Sequence, residues 1–342
     1  MTAADPAPTA ADHARTPVLI GLDWGTSALR AWLFDAAGTA LARLTGGPGV
    51  MAVPPDGFRA AFEAFCAPWL AAHPGLPVLA AGMVGSRQGW REAPYAHAPA
   101  GFGEIAAGLI ALDDDAGRVL RLVPGVRAEG RQGSIDVMRG EETQVFGALA
   151  ARSVLQSADA AHRDGLFVLP GTHSKWVEMR AGRIVALRTY LTGETWAVLR
   201  QHSILGRLAA DPPADDASAQ AGAAEAFDRG VRLGLASPGE LLHLLFLVRT
   251  EGLFDRLRPT QTPAFLSGLL TGAEVADALV WSGREMAPTL IGDDAQAARY
   301  ARALALAGVI GRAAPADCTA QGLFAIARAA GLAPHPPASS SR

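Results

Sequence analysis

A strand, a glycine–threonine turn and a returning strand occur twice in this chain, and that repeat constrains its fold more than any other feature. Residues 18–22 form a short apolar run that reads as a buried strand. The run ends in Asp23-Trp24-Gly25-Thr26-Ser27, a second strand follows over 29–34, and a turn at 35–38 leads to a third over 40–44. The same order of events starts again at 166–169. Pro170-Gly171-Thr172-His173-Ser174-Lys175 is followed by a strand at 176–179, the turn Ala181-Gly182 and a strand at 184–190. Gly171-Thr172 stands 146 residues after Gly25-Thr26. A repeat of a supersecondary unit fixes architecture before any other detail. It predicts two similar α/β domains facing each other.

The segments between fill out that plan. Asp56 is placed to cap a helix whose Phe58, Phe62, Phe65 and Trp69 share one face. Residues 77–83 read as a strand running into the glycine-rich loop 82–90. Residues 119–123 and 135–138 read as further strands, and a helix begins near Gly140 and runs through Val145, Leu149 and Val154. The polar, alanine-rich stretch 156–164 is the expected boundary, giving domains at 17–160 and 161–332. Beyond the second hairpin the chain reads as mostly helical. A surface loop spans 212–220, helices span 241–248, 273–279 and 295–307, and 289–292 is a short strand ending in glycine. Residues 1–16 are rich in alanine and proline without a cationic start and apolar stretch, so they read as a disordered leader; the tail at 333–342 reads as flexible.

Composition excludes several mechanisms. The chain has 342 residues, a net charge of −3, no asparagine and one lysine, Lys175, among 30 basic residues. A protein-kinase catalytic loop needs asparagine for its second metal, and a P-loop needs lysine after its glycines. Neither pattern is present. The charge gives no reason to expect nucleic acid or a membrane surface, and no apolar run approaches the roughly 18–20 residues of a bilayer span. Cys66 and Cys318 lie far apart, which suits reduced thiols and a cytoplasmic location. A homodimer is left open.

Small residues at a strand–turn–strand tip let phosphate oxygens approach backbone N–H groups. Gly25, Thr26 and Ser27 are one such tip, and Gly171 and Thr172 the other. Each alone is an ordinary tight turn; two together suit the β- and γ-phosphates of ATP. Asp23 would repel phosphate and is better used on the accompanying Mg2+, through water. Lys175, a compact point charge in the second hairpin, suits neutralisation of a transferring phosphate. Asp136, Glu141 and Glu142 are candidate bases for an attacking hydroxyl. The first helical turn keeps a carboxylate ionised and favours Glu141. Arg87, in the glycine-rich loop, can hold a carboxylate bidentately. His173 either binds a ligand or closes the turn.

Asp23-Trp24-Gly25-Thr26-Ser27-Ala28-Leu29-Arg30 resembles the first phosphate motif of the actin/hexokinase/Hsp70-like ATPase superfamily. Gly82-Met83-Val84-Gly85-Ser86-Arg87, Met138-Arg139-Gly140-Glu141-Glu142-Thr143-Gln144 and Leu169-Pro170-Gly171-Thr172-His173-Ser174-Lys175-Trp176 together are similar to the 2-dehydro-3-deoxygalactonokinase family, over residues 17–311. The resemblance implies two ribonuclease H-like domains with a nucleotide and substrate cleft between them. It implies ATP, Mg2+ and a sugar-acid substrate phosphorylated on its 6-hydroxyl in galactonate catabolism. Substrate contacts would fall to Trp24, Arg87, Gln88, Trp90 and Arg139, and the adenosine side to Gly268, Gly272 and Gly292, with catalysis by Glu141, Lys175 and Asp136. Related sugar kinases carry Gly-Asp where this chain has Gly140-Glu141, which leaves the base open. Alternatives are a kinase of this fold for another sugar acid or a polyol, an ATP-binding filament protein, or a sugar-sensing regulator. The last would need a DNA-binding module for which no segment reads.

Overall fold

The computed structural model describes residues 16–112, 117–130, 133–155, 163–284 and 286–334. The expected leader up to residue 15, the linker core at 156–162 and the tail from 335 lie outside the described residues. In chain order the elements are β1 (Pro17–Trp24), β2 (Ala28–Asp35), β3 (Ala40–Pro48), α1 (Phe58–Ala72), β4 (Val78–Ala81), β5 (Tyr95–His97), α2 (Phe102–Ala107), β6 (Ile110–Leu112), β7 (Leu120–Leu122), β8 (Gly125–Glu129), β9 (Ile135–Met138) and α3 (Glu141–Leu155). There follow β10 (Gly165–Leu169), β11 (Ser174–Arg180), β12 (Arg183–Tyr190), α4 (Thr192–His202), α5 (Ala217–Ala236), α6 (Leu241–Leu253), α7 (Thr262–Ser282), β13 (Pro288–Leu290), α8 (Asp294–Leu306), β14 (Arg312–Ala313) and α9 (Cys318–Ala329).

The chain divides into two compact units, Met1–Arg163 with Arg180–Ala186 and Pro315–Arg342, and Asp164–Met179 with Leu187–Ala314. The first division falls after Arg163. The expectation that everything after it belongs to the second domain is corrected, because α9 returns to the first unit. There Phe324 packs against Phe34 of β2, with ring centroids 5.6 Å apart.

The main sheet of the first unit has the order β3-β2-β1-β4-β7-β6, and the sheet of the second has β12-β11-β10-β13-β14. In each, the first strand pairs antiparallel with the second and parallel with the fourth strand of its sheet, β4 or β13. The repeated hairpin is thus the visible part of a repeated sheet. A small sheet β5-β8-β9 completes the first unit. The inner strands β4 and β10 are buried along their whole length, as expected where both faces of a parallel pair are covered.

On α1, Phe58, Phe62 and Trp69 are buried with Cys66 and Leu70 in one cluster with Trp24, Leu22 and Val78. Each such side chain contributes about 1.5–3 kcal/mol of transfer free energy. The residue before this helix is Gly57, with no side-chain cap bond, so the expected cap by Asp56 is corrected. The expected loop at 212–220 is shorter, because Asp216 accepts a bond from the Ala219 N–H and starts α5. Helix α7 is long and apolar enough to cross a membrane, which the sequence reading overlooked; in this fold it is mostly buried within the second unit, from Phe265 to Leu279.

Candidate active site

In the first unit, β1 and β4 run parallel with Asp23 opposite Ala81, so their carboxyl ends finish side by side. Ligands of open α/β sheets sit beyond such ends. The hairpin tip after β1 closes with Gly25 N–H donating to the Ala28 carbonyl at 2.9 Å. The Gly25 and Thr26 carbonyls accept from Val50 and Met51. Thr26 and Ser27 are exposed at this tip.

The Asp23 side chain is 12% exposed and ion-paired with Arg30. Burial raises its pKa above the ordinary carboxylate value, against the opposing pull of Arg30. Arg30 was not singled out in the sequence. The tight hairpin was the signal, since it places residues 23 and 30 directly across the ladder.

Gly82 follows β4 with a φ of +95°, and a Cβ there would lie 2.9 Å from the Trp24 carbonyl and 3.3 Å from an Asp23 carboxylate oxygen. Gly140 precedes α3 with a φ of +106°, and its Cβ would meet the Gly82 Cα at 3.2 Å. Only glycine admits both the conformation and the approach. These two turns bring the start of α3 against the end of β1.

Three carboxylates stand there or nearby. Glu141, half-buried, accepts from the Arg139 N–H at 3.0 Å. Glu142 is fully buried; it accepts from the Gly140 N–H at 2.7 Å and the Thr143 hydroxyl at 3.1 Å. Burial first, and then the Glu141 charge, push its pKa up to about 8. Asp136, half-buried on β9, accepts from the Val137 N–H at 2.8 Å.

The expected substrate contacts divide. Trp24 is fully buried, donates its indole N–H to the Pro48 carbonyl and meets Phe58 edge-on at 5.5 Å. It is a core residue, and its expected contact with substrate is corrected. Trp90 is half-buried and packs edge-on to Trp24 at 6.4 Å. Arg87 has a side chain 82% exposed and paired with Glu92 at 3.0 Å, not the enclosed cation expected for a carboxylate reader. Gln88 is exposed. Arg139 is buried; its Nη2 donates to the Ala93 carbonyl at 2.7 Å and its guanidinium lies 4.3 Å from the Tyr95 ring centre.

In the second unit, α4 begins against the second hairpin. The Glu194 N–H donates to the Thr172 carbonyl at 2.9 Å, and His173 is hydrogen-bonded to the Glu194 carboxylate. His173 thus ties the turn to α4. Thr172 is exposed and Gly171 half-buried at the tip.

Lys175 is buried on β11, its ammonium donating to the Thr189 hydroxyl of β12 at 2.8 Å. Its strand neighbours Ser174 and Trp176 lie on the opposite face by strand alternation. They join a buried network that the sequence reading missed. Glu274 of α7 accepts from Trp176 Nε1 at 2.8 Å, from the Tyr300 hydroxyl at 2.7 Å and from Thr192; Tyr300 also bonds Ser174 at 2.7 Å. Burial raises the pKa of Glu274 even though these donors favour its charged form. The two acids Glu274 and Asp277 on the largely apolar α7 were the available signal.

The three glycines expected on the adenosine side also divide. A Cβ on Gly268 would stand 2.2 Å from the Phe227 carbonyl, and one on Gly272 2.4 Å from the Val231 carbonyl. Both therefore let α7 close on α5, and their nucleotide role is corrected. Gly292 is exposed, and a Cβ on it would lie 3.7 Å from Pro170, at the foot of the second hairpin. On the helix that follows, α8, Ala295 and Arg299 line a cavity of about 730 Å3 that also borders Trp196, Arg200, Phe227 and Ser267. This cavity lies wholly within the second unit. Among the described residues no group of three or more His, Cys, Asp or Glu side chains forms a metal cluster.

The family model described as 2-keto-3-deoxy-galactonokinase matches residues 23–326. A protein of Rhizobium meliloti (strain 1021), described as a probable 2-dehydro-3-deoxygalactonokinase, is 36% identical over 90% of this chain and 96% of its own length. The 2-dehydro-3-deoxygalactonokinase of Escherichia coli (strain K12) is 35% identical over 91% of this chain and 97% of its own. A crystal structure of a 2-dehydro-3-deoxygalactonokinase-type protein from Sinorhizobium meliloti superposes with a TM-score of 0.79 and 35% identity, covering 91% of this chain and 98% of that one.

Proposed function

Because the chain belongs to the 2-keto-3-deoxy-galactonokinase family, we infer that it catalyses the ATP-dependent phosphorylation of 2-dehydro-3-deoxy-D-galactonate in galactonate catabolism, on the 6-hydroxyl. It is a phosphotransferase with an alcohol acceptor. The observation that carries this reading is a family match that spans both glycine–threonine hairpins. Its location is the cytoplasm, where ATP is supplied.

Phosphoryl transfer needs positioning and charge neutralisation more than covalent chemistry. Thr26, Ser27, Gly171 and Thr172 are assigned to the phosphates, supported by the exposure of Thr26, Ser27 and Thr172 at the tips. Lys175 is assigned to the transferring group, its ammonium held by Thr189. The cavity beside Trp196 and Arg299 is assigned to the adenosine, since its size suits a nucleoside and it starts on the helix that follows Gly292. Mg2+ keeps much of its water shell and needs only one or two protein carboxylates. A single buried carboxylate at the end of β1 fits that need, so Asp23 would hold the ion through water. When bound, the ion supplies neutralisation of phosphate charge.

Glu141 is assigned as the base that takes the proton of the attacking hydroxyl, with Asp136 the alternative. Glu142, with its pKa near 8, holds a proton at neutral pH and is a poor base there.

A coupled ATP-consumption assay over a panel of aldonic acids, 2-keto-3-deoxy aldonic acids and polyols tests the reading. The expected result is the highest kcat/KM for 2-dehydro-3-deoxy-D-galactonate. Equal turnover of a neutral polyol would overturn it.

A further inference from the structure

We propose that Arg139, and not Arg87, binds the carboxylate of the sugar acid. The proposal rests on the kinase reading above and names the side chain that makes the acceptor an acid.

Arg139 lies between β9 and α3 and is only 8% exposed. One nitrogen, Nη2, is satisfied by the Ala93 carbonyl. The Tyr95 ring covers the guanidinium on one face. Nε and Nη1 are buried and have no hydrogen-bond partner among the described residues. A guanidinium cannot discard its charge by losing a proton. A buried cation without a counter-charge is costly, which is why buried charges are paired in native proteins. The nearby acids do not supply the pair. Glu141 accepts from the backbone N–H of Arg139, and Glu142 is occupied by the Gly140 N–H and Thr143. The missing partner is therefore an anion that comes and goes.

The turn at Gly85 covers Nη1. A Cβ on Gly85 would stand 3.1 Å from that nitrogen, tighter than an ordinary contact, so the backbone of this turn packs directly over Nη1. Both orphan nitrogens are covered in this structure, so the acid reaches them by displacing the turn that carries Gly85. Arg87 offers the opposite environment, an exposed fork already satisfied by Glu92. Screening by water makes such a cation a weak discriminator between an acid and a neutral sugar.

The test compares the wild type with Arg139→Met, which keeps a long apolar stem, and Gly85→Ala, which sets a methyl against Nη1. Each is assayed with 2-dehydro-3-deoxy-D-galactonate and with its C1 amide, alongside KM for ATP and the acid-induced rise in Tm without ATP. The expected result is a rise in KM for the acid of roughly a hundredfold in Arg139→Met, with KM for ATP within about twofold. The preference for acid over amide should collapse, and the acid should no longer raise Tm. Gly85→Ala should raise KM for the acid in the same direction, so the test survives if Arg139→Met does not fold. Unchanged acid-over-amide preference in both variants overturns the proposal, as does the same collapse in Arg87→Ala with Arg139→Met unaffected. A wild type that turns over none of the acids overturns the kinase reading instead, and a wild type whose Tm the acid does not raise overturns the binding site with it.

Discussion

Glu142→Gln isolates one buried proton and decides which carboxylate is free to act as base. In the folded protein the Glu142 pKa stands at about 8, against an ordinary value of 4.5. The folded state therefore binds this proton more tightly than the unfolded chain. Stability is greatest below the unfolded value and falls as pH rises through the window from about 4.5 to about 8, after which the loss is complete. Each pH unit of that window corresponds to about 1.4 kcal/mol, so the whole window is worth at most about 5 kcal/mol. At about 2–4 °C per kcal/mol, that is a decline in Tm on the order of 10 °C or more across the same window. Glutamine keeps an acceptor for the Gly140 N–H, and the Thr143 hydroxyl can rotate to accept from the new amide. The difference between wild type and variant then isolates this group from all other titrations. Thermal unfolding from mildly acidic to mildly alkaline pH should show two curves that converge at the acid end. The variant should be the more stable above the folded-state pKa. Its kcat at neutral pH should stay within a few-fold of wild type, since the wild-type group is already protonated there. Parallel curves over the whole range would refute this account of the buried proton. A fall in turnover of about a hundredfold or more would make Glu142 a candidate base again.

Lys175→Met should lower turnover by about a hundredfold or more, the scale of a lost transition-state charge stabiliser. An unaltered kcat in steady-state assays would remove the phosphate role. Gly268→Ala should lower Tm through overpacking against the Phe227 carbonyl, at about 1–3 kcal/mol, while KM for ATP stays near wild type. A raised KM for ATP at unchanged Tm would restore the nucleotide role and rule out the helix-packing account.

What could be read from the chain was what is local and repeated. A Gly-Thr turn between two apolar runs is a short-range signal, and seeing it twice was enough to expect two similar α/β sheets, because strand order follows from the first three strands and a parallel return. The same hairpin also concealed a contact. The Asp23–Arg30 pair follows from the ladder register, yet it becomes visible only once the turn length is known. Short, isolated strands such as β5 and β8 offered too few residues for a period to show. Helix α9 could not be placed, because its amphipathic pattern fixes which face is buried and says nothing of which unit buries it.

The misreadings share one physical origin: a residue type that serves two purposes carries no mark of which one applies. Gly268-Leu269-Leu270-Thr271-Gly272 in an apolar segment suits close approach of a nucleotide or of a neighbouring helix, and only the position of the Phe227 and Val231 carbonyls distinguishes them. Arg87 and Arg139 are both arginines beside glycine-rich turns. One points its fork at Glu92 in water; the other has two orphan donors in a dry place. Burial converts the same side chain from a solvated ornament into a group that demands a partner, and burial is a property of the assembled unit. Glu274 makes the point from the opposite side. It too is buried and charged by type, but Trp176, Thr192 and Tyr300 satisfy it completely, so it demands nothing further and serves to hold the strand that carries Lys175. A polar group that the fold leaves unsatisfied is therefore the stronger pointer to a ligand, and among the described residues of the first unit that group is the guanidinium of Arg139.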